Sequence, residues 1–220
     1  MKLLLTSGGL TNNSIANALF DLTGKKPEET IVVFVPTASN IEVGDKDWFI
    51  TDLMNLKKQN FKSIEITDIS AVDKKIWKPS FERADVLFFE GGNVYYLMRW
   101  LNKTGLINEL SELLKNKVYV GASAGSMVTN PDLNLKLFQQ VYEKDRLETE
   151  KMSGLNFVDF YFLPHLNLEY FKKLKRENIE KIAKNITMPI YVLDDESALK
   201  IVDNKIEVIS EGDWFVLNKK

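Results

Sequence analysis

Five consecutive apolar residues, Ile31-Val32-Val33-Phe34-Val35, stop abruptly at Pro36. A strand with one face in water alternates apolar and polar residues. One with no polar face must be covered on both sides, as an inner strand of a parallel sheet flanked by helices is. Similar runs recur at Leu3–Thr6, Asp85–Phe89, Val118–Val120 and Ile190–Leu193, with further strands predicted at Ser63–Ile66 and Phe157–Leu163. Between them apolar residues fall at helical spacing: Ile15, Ala18, Leu19 and Leu22 behind the capping residues Asn12 and Asn13, then Trp48 to Leu56, Tyr95 to Leu101, Leu106 to Leu114, and roughly Glu169 to Lys184. Near the C-terminus, Asp203-Asn204 separates Ala198–Val202 from Ile206–Ile209, a tight-turn signal for an antiparallel hairpin. This alternation predicts an α/β fold: a three-layer, doubly wound, mostly parallel sheet with a C-terminal β-hairpin. With no internal repeat or low-complexity linker in 220 residues, a single domain over 1–220 is expected.

Composition removes several classes of chemistry. The chain has no cysteine, which excludes a disulfide framework, thiolate zinc sites and a cysteine nucleophile. Basic and acidic residues nearly balance, 29 against 31, so no overall field draws in nucleic acid or anionic lipid. Lys172, Lys173, Lys175 and Arg176 alternate with Glu169, Glu177 and Glu180, the pattern of a solvated helix face. No apolar stretch approaches the length of a membrane span, and the apolar run Leu3-Leu4-Leu5 is too short for a secretory signal. A cytoplasmic location is the expectation, with no nucleic-acid or membrane partner.

In open α/β sheets, functional groups collect beyond the carboxyl ends of the strands. Gly121-Ala122-Ser123-Ala124-Gly125 follows the strand Val118–Val120 directly and fits G-x-S-x-G. That pattern sets a serine on a sharp strand-to-helix turn, where bulky neighbours do not fit. A serine hydroxyl needs a base to take its proton, and the only histidine, His165, also follows a strand-like run. A lone histidine argues against a zinc site, and no cofactor is expected. An acid to orient the imidazole is available just after Ile190–Leu193, where Asp194, Asp195 and Glu196 stand in a row, and spacing alone does not choose among them. Gly91 and Gly92, at the end of Asp85–Phe89, offer amides that with Ala124 can form an oxyanion hole. Ser7-Gly8-Gly9 lacks the phosphate-loop pattern and reads as a turn.

These motifs in this order, from Leu3-Leu4-Leu5-Thr6-Ser7-Gly8-Gly9 through Gly91-Gly92-Asn93 and Gly121–Gly125 to Pro164-His165-Leu166-Asn167 and Asp195-Glu196, resemble peptidase family S51, of the dipeptidase E and cyanophycinase type. The resemblance implies a fold like that of class I glutamine amidotransferases, with Ser123 as nucleophile, His165 as base and Glu196 as the third member. It also implies release of N-terminal aspartate from short peptides, with Arg176 and Asn93 as substrate-binding residues. An aspartate that dipeptidase E carries after its serine falls at Phe138 here, Asp132 being the nearest acid. The expected partner is a small peptide, and the protein a monomer or homodimer. Two other functions fit the same motifs: an esterase or amidase without aspartyl preference, and a catalytically idle module binding a small metabolite.

Overall fold

The computed structural model describes residues 1–142 and 151–219. The chain opens with β1 (Lys2–Thr6) and α1 (Asn13–Thr23), then passes through β2 (Ile31–Val35), α2 (Thr37–Asn40), α3 (Asp47–Lys58), β3 (Ser63–Ile66), α4 (Lys74–Arg83), β4 (Val86–Phe89), α5 (Val94–Lys103), α6 (Ile107–Leu113) and β5 (Val118–Ala122). A single turn, α7 (Ala124–Met127), and α8 (Leu135–Val141) precede β6 (Tyr161–Leu163), α9 (Arg176–Ala183) and β7 (Ile190–Leu193). Three strands follow: β8 (Ser197–Val202), β9 (Lys205–Ser210) and β10 (Trp214–Leu217).

The main sheet has seven strands in the order β3-β2-β4-β5-β1-β8-β9. From β3 to β1 every pairing is parallel. Along these strands successive side chains enter two different cores, because side chains alternate across a sheet. Leu3, Leu5, Val33, Val35, Leu87 and Phe89 meet Trp77 and Phe81 of α4 and Tyr95 and Leu97 of α5. Leu4, Val32, Phe34, Val86 and Phe88 meet Ile15, Leu19 and Leu22 of α1 and Leu56 of α3. The three layers and the fully apolar strands thus have one cause: both faces of the sheet are dry.

The C-terminal hairpin forms as expected. β8 runs antiparallel to β1 and β9 folds back on it, through Asp203 and Asn204 at φ 47° and 68°. Both central residues at positive φ make the tight turn whose twist matches the strands.

Three features differ from the sequence expectation. β6 and β7 do not extend the main sheet; with β10 they build a separate three-stranded sheet, β10-β7-β6, in which β6 and β7 are parallel. Its Phe162, Leu163, Val192 and Leu193 are buried in the same core as α4 and α5. α4 was not anticipated, because it is largely polar, contains Pro79 and buries only Trp77 and Phe81. The helix predicted from about 169 starts instead at Arg176, and the preceding residues form tight turns that bring Phe171 beneath the site. No helix among the described residues is long and apolar enough to cross a membrane.

Candidate active site

At the end of β5 the backbone turns sharply at Ser123, with φ 47° and ψ −107°. An L-residue in this region costs on the order of 1–3 kcal/mol and must be held there by its surroundings. The Ser123 N–H donates to the carbonyls of Thr6 (3.1 Å) and Ser7 (3.0 Å). Ser126 Oγ bonds the Thr6 and Gly121 carbonyls, both at 2.8 Å, and Tyr119 Oη donates to the Gly125 carbonyl at 2.6 Å. The flanking glycines are required sterically: a Cβ on Gly121 would lie 2.5 Å from Gly125 backbone, and one on Gly125 only 2.0 Å from the Phe89 carbonyl oxygen. The helix after this turn is one turn long, so little helix dipole reaches the serine.

His165 leaves the small sheet just after β6, at φ 70°. Its N–H donates to Ser7 Oγ at 2.7 Å, and Phe171 stacks on the imidazole, with ring centroids 4.9 Å apart and planes at 19°. Nε2 lies 2.7 Å from Ser123 Oγ, and Nδ1 lies 2.7 Å from Asp195 Oδ1. With Nδ1–H donating to the carboxylate, Nε2 keeps a lone pair for the serine proton. Hydroxyl, imidazole and carboxylate in this order form a relay able to deprotonate the oxygen and carry the resulting positive charge.

Of the three consecutive acids, only Asp195 touches the imidazole. Asp194 faces into its own turn, accepting from Ser197 Oγ at 2.6 Å and from the Glu196 N–H at 3.1 Å. Glu196, the expected third member, is exposed and accepts from Asn12 Nδ2 at 2.9 Å. The turn thus points the middle acid inward, and it is pinned there: Thr11 Oγ1 donates to the Asp195 carbonyl at 2.7 Å. Burial alone would raise the Asp195 carboxyl, but hydrogen bonds from His165 and Ser7 and the nearby imidazole outweigh it and hold the carboxyl below its usual range.

Ser7 is a residue that sequence reading missed. Its hydroxyl donates to Asp195 Oδ1 at 2.6 Å while accepting from the His165 backbone, so it ties together residues from three strand ends. A signal was present, since Ser7-Gly8-Gly9 sits at a strand's carboxyl end. Gly8 lets that turn lie flat on the acid; a Cβ there would be 2.9 Å from Asp195 Cβ.

The remaining predicted residues divide. Gly91 and Gly92 line the same cleft as Ser123, and a Cβ on Gly91 would stand 3.3 Å from that of Ser123. Ala124 follows directly, its amide at the first position of α7. Asn93 is turned away: its side chain caps α5, accepting from the Tyr96 N–H at 2.9 Å. Arg176 does not line the cleft; it is exposed, stacks over Phe215 at 4.4 Å and pairs with Glu180 at 3.7 Å. Asp132 accepts from Tyr161 Oη at 3.1 Å, and Phe138 is fully buried in the core, so neither position puts a charge at the site.

The cleft encloses about 500 Å³. Val43, Trp48, Leu168 and Tyr170 stand exposed around it, while Asp52 of α3 and Glu90, just after β4, line it beside Gly91. No lysine or arginine is among the described residues that line it.

Comparison with known proteins places the chain in a family. It is 24% identical to an uncharacterized peptidase of Pasteurella multocida, over 89% of this chain and 91% of that one. It is 28% identical to an uncharacterized peptidase of Listeria innocua, over 80% and 87%, and 23% identical to Peptidase E of Streptomyces coelicolor, over 97% and 86%. The fold matches a crystal structure of a protein from Listeria monocytogenes provisionally named Peptidase E, with TM-score 0.77 and 23% identity over 96% of this chain and 98% of that one. A peptidase from an acI-B1 actinobacterium superposes with TM-score 0.67 at 20% identity, over 98% and 93%. Because residues 3–209 match the sequence profile of the family, the chain belongs to peptidase family S51 and is a serine peptidase.

Proposed function

We propose that the enzyme hydrolyses short peptides through an acyl-enzyme on Ser123, with His165 as general base and Asp195 as the acid that orients it. The observation that carries this reading is the pair of 2.7 Å contacts from the His165 ring, one to Ser123 Oγ and one to Asp195 Oδ1. Ser123 Oγ attacks the scissile carbonyl carbon as Nε2 takes its proton. The oxyanion faces the amides of Gly91 or Gly92 and Ala124. His165 then returns the proton to the departing amine, and a water activated by the same nitrogen hydrolyses the ester, freeing the acid and the serine.

Preference for aspartate finds no support in the lining of the cleft. Among the described residues an acidic side chain there meets no lysine or arginine, and Arg176 is engaged with Phe215 and Glu180. The apolar rim of Val43, Trp48, Leu168 and Tyr170 suits uncharged side chains instead. Ser123→Ala should lower kcat on a panel of Asp-, Glu-, Leu- and Ala-initiated dipeptides by at least about ten-thousandfold. It should also abolish labelling by a serine-directed phosphonate. Equal labelling of the variant would remove Ser123 from the nucleophile's role.

A further inference from the structure

On the side of the cleft formed by α3 and the end of β4, two carboxyl groups abut. Glu90 is completely buried, yet neither of its oxygens receives a hydrogen bond of good geometry. Its polar neighbours are the Gly91 amide and the Asp52 carboxyl. Burial, then the Asp52 charge beside it, raises the Glu90 carboxyl well above its ordinary range. Burial, with a smaller push from Asp195 and opposed by contact with Glu90, raises Asp52 to about 6. With its carboxyl at about 6, Asp52 is largely ionised in neutral solution, beside a Glu90 carboxyl that resists losing its proton. No lysine or arginine among the described residues lines the cleft to answer that charge, and the imidazole is already committed to Ser123 and Asp195.

A buried carboxyl without a donor is costly, and structures rarely retain one unless something else completes it. Here the pair lies at the cleft wall, with Glu90 one residue from the glycine that flanks Ser123 and Asp52 only half-buried. The missing partner must supply positive charge and several N–H donors, and must reach the pair from a substrate whose carbonyl lies at Ser123. A primary ammonium has this chemistry.

We propose that Asp52 and Glu90 together form the subsite for the substrate's ammonium group, making them the residues that select peptides carrying a free amine near the scissile bond. The inference rests on the peptidase reading above and names its substrate class. The α-amine lies two bonds from the scissile carbonyl carbon, so it fits a subsite immediately beside the nucleophile; a lysine side chain supplies the same ammonium from further away.

The test separates recognition from chemistry by measuring binding to Ser123→Ala, which needs no turnover. Three probes are used: Ala-Ala with a free amine, N-acetyl-Ala-Ala, and N-acetyl-Lys-Ala. Acetylation of Ala-Ala should weaken binding at least about 10-fold, in line with a charge-assisted contact. Adding Asp52→Asn and Glu90→Gln together to that background, which removes both ionisable carboxyls, should reduce this discrimination to about twofold, chiefly by weakening the free-amine peptide. Recovery of affinity by N-acetyl-Lys-Ala would support the pair as an ammonium site served by the side chain. Equal binding of free and acetylated Ala-Ala, with no gain from lysine, overturns the proposal, as does discrimination that survives both substitutions. Circular dichroism and thermal melting of each variant establish that it is folded. If instead wild-type enzyme turns over no peptide while the binding pattern holds, the hydrolytic reading fails and the ammonium site stands.

Discussion

At the residue scale, the sharpest result is which of three adjacent acids meets the imidazole. Asp194, Asp195 and Glu196 are nearly interchangeable in one dimension, and the likeness to dipeptidase E favours Glu196. In the folded chain the turn after β7 uses Asp194 for its own amides and sends Glu196 to solvent, which leaves Asp195 2.7 Å from Nδ1. Asp195→Asn should therefore lower kcat about a thousandfold or more, because an amide no longer enforces the Nδ1–H tautomer or balances the imidazolium. Glu196→Gln should leave kcat within about twofold, since an exposed hydrogen bond carries little. Steady-state kinetics on one dipeptide decide between them, and the reverse ranking would restore Glu196 to the relay. Ser123 and His165 were legible in the sequence because each is marked locally, one by its glycine frame and the other by being the only histidine. Asp52 and Glu90 were not, since nothing in their local sequence records what faces them across the cleft; Ser7 was marked only by its place at a strand's carboxyl end.

At the element scale, glycines that look alike serve different ends. Gly24 closes α1 at φ 66° with open space where a Cβ would go. Gly125 sits where β5, β4 and α7 converge, and its missing Cβ would occupy the Phe89 carbonyl. Gly24→Ala should thus cost about 1 kcal/mol, the penalty of a left-handed backbone. Gly125→Ala should cost about 3 kcal/mol or more and displace the Ser123 turn, because backbone must move. Urea denaturation of both variants, alongside phosphonate labelling, distinguishes the two effects; equal destabilisation would show that backbone freedom, and not close approach, is what Gly125 supplies. Strand and helix positions followed well from apolar spacing, and the Asp203-Asn204 hairpin from its turn residues. α4 escaped detection because Pro79 and its charges obscure a two-residue apolar face, and the turns before α9 because their residues are good helix formers held otherwise by contacts to Leu168, Phe171 and Leu174.

At the scale of the whole molecule, the fold carries a pH-dependent cost at its own cleft. The native Asp52–Glu90 pair holds protons that the unfolded chain releases near pH 4, so stability must fall as pH rises from about 4 to about 6, where Asp52 titrates when folded. The loss is on the order of 3 kcal/mol for Asp52 alone. Glu90→Gln should consequently be more stable than the wild type at pH 8, with the difference shrinking towards pH 4, where both carboxyls are protonated. Chemical denaturation at the two pH values measures this, and a less stable variant at pH 8 would mean that the pair stabilises the fold. A group that weakens the fold while lining the cleft is the pattern expected when stability yields to binding. The layered sheet was determined by the sequence itself, because burial on both faces writes a continuous apolar run into each inner strand, and helical spacing into the segments between them. Tertiary structure alone decided that β6 and β7 leave the main sheet, that Asp195 turns inward, and that two carboxyls from α3 and β4 share one pocket. Each of these depends on contacts between segments far apart in the chain, where the spacing of residues along a single element holds no information.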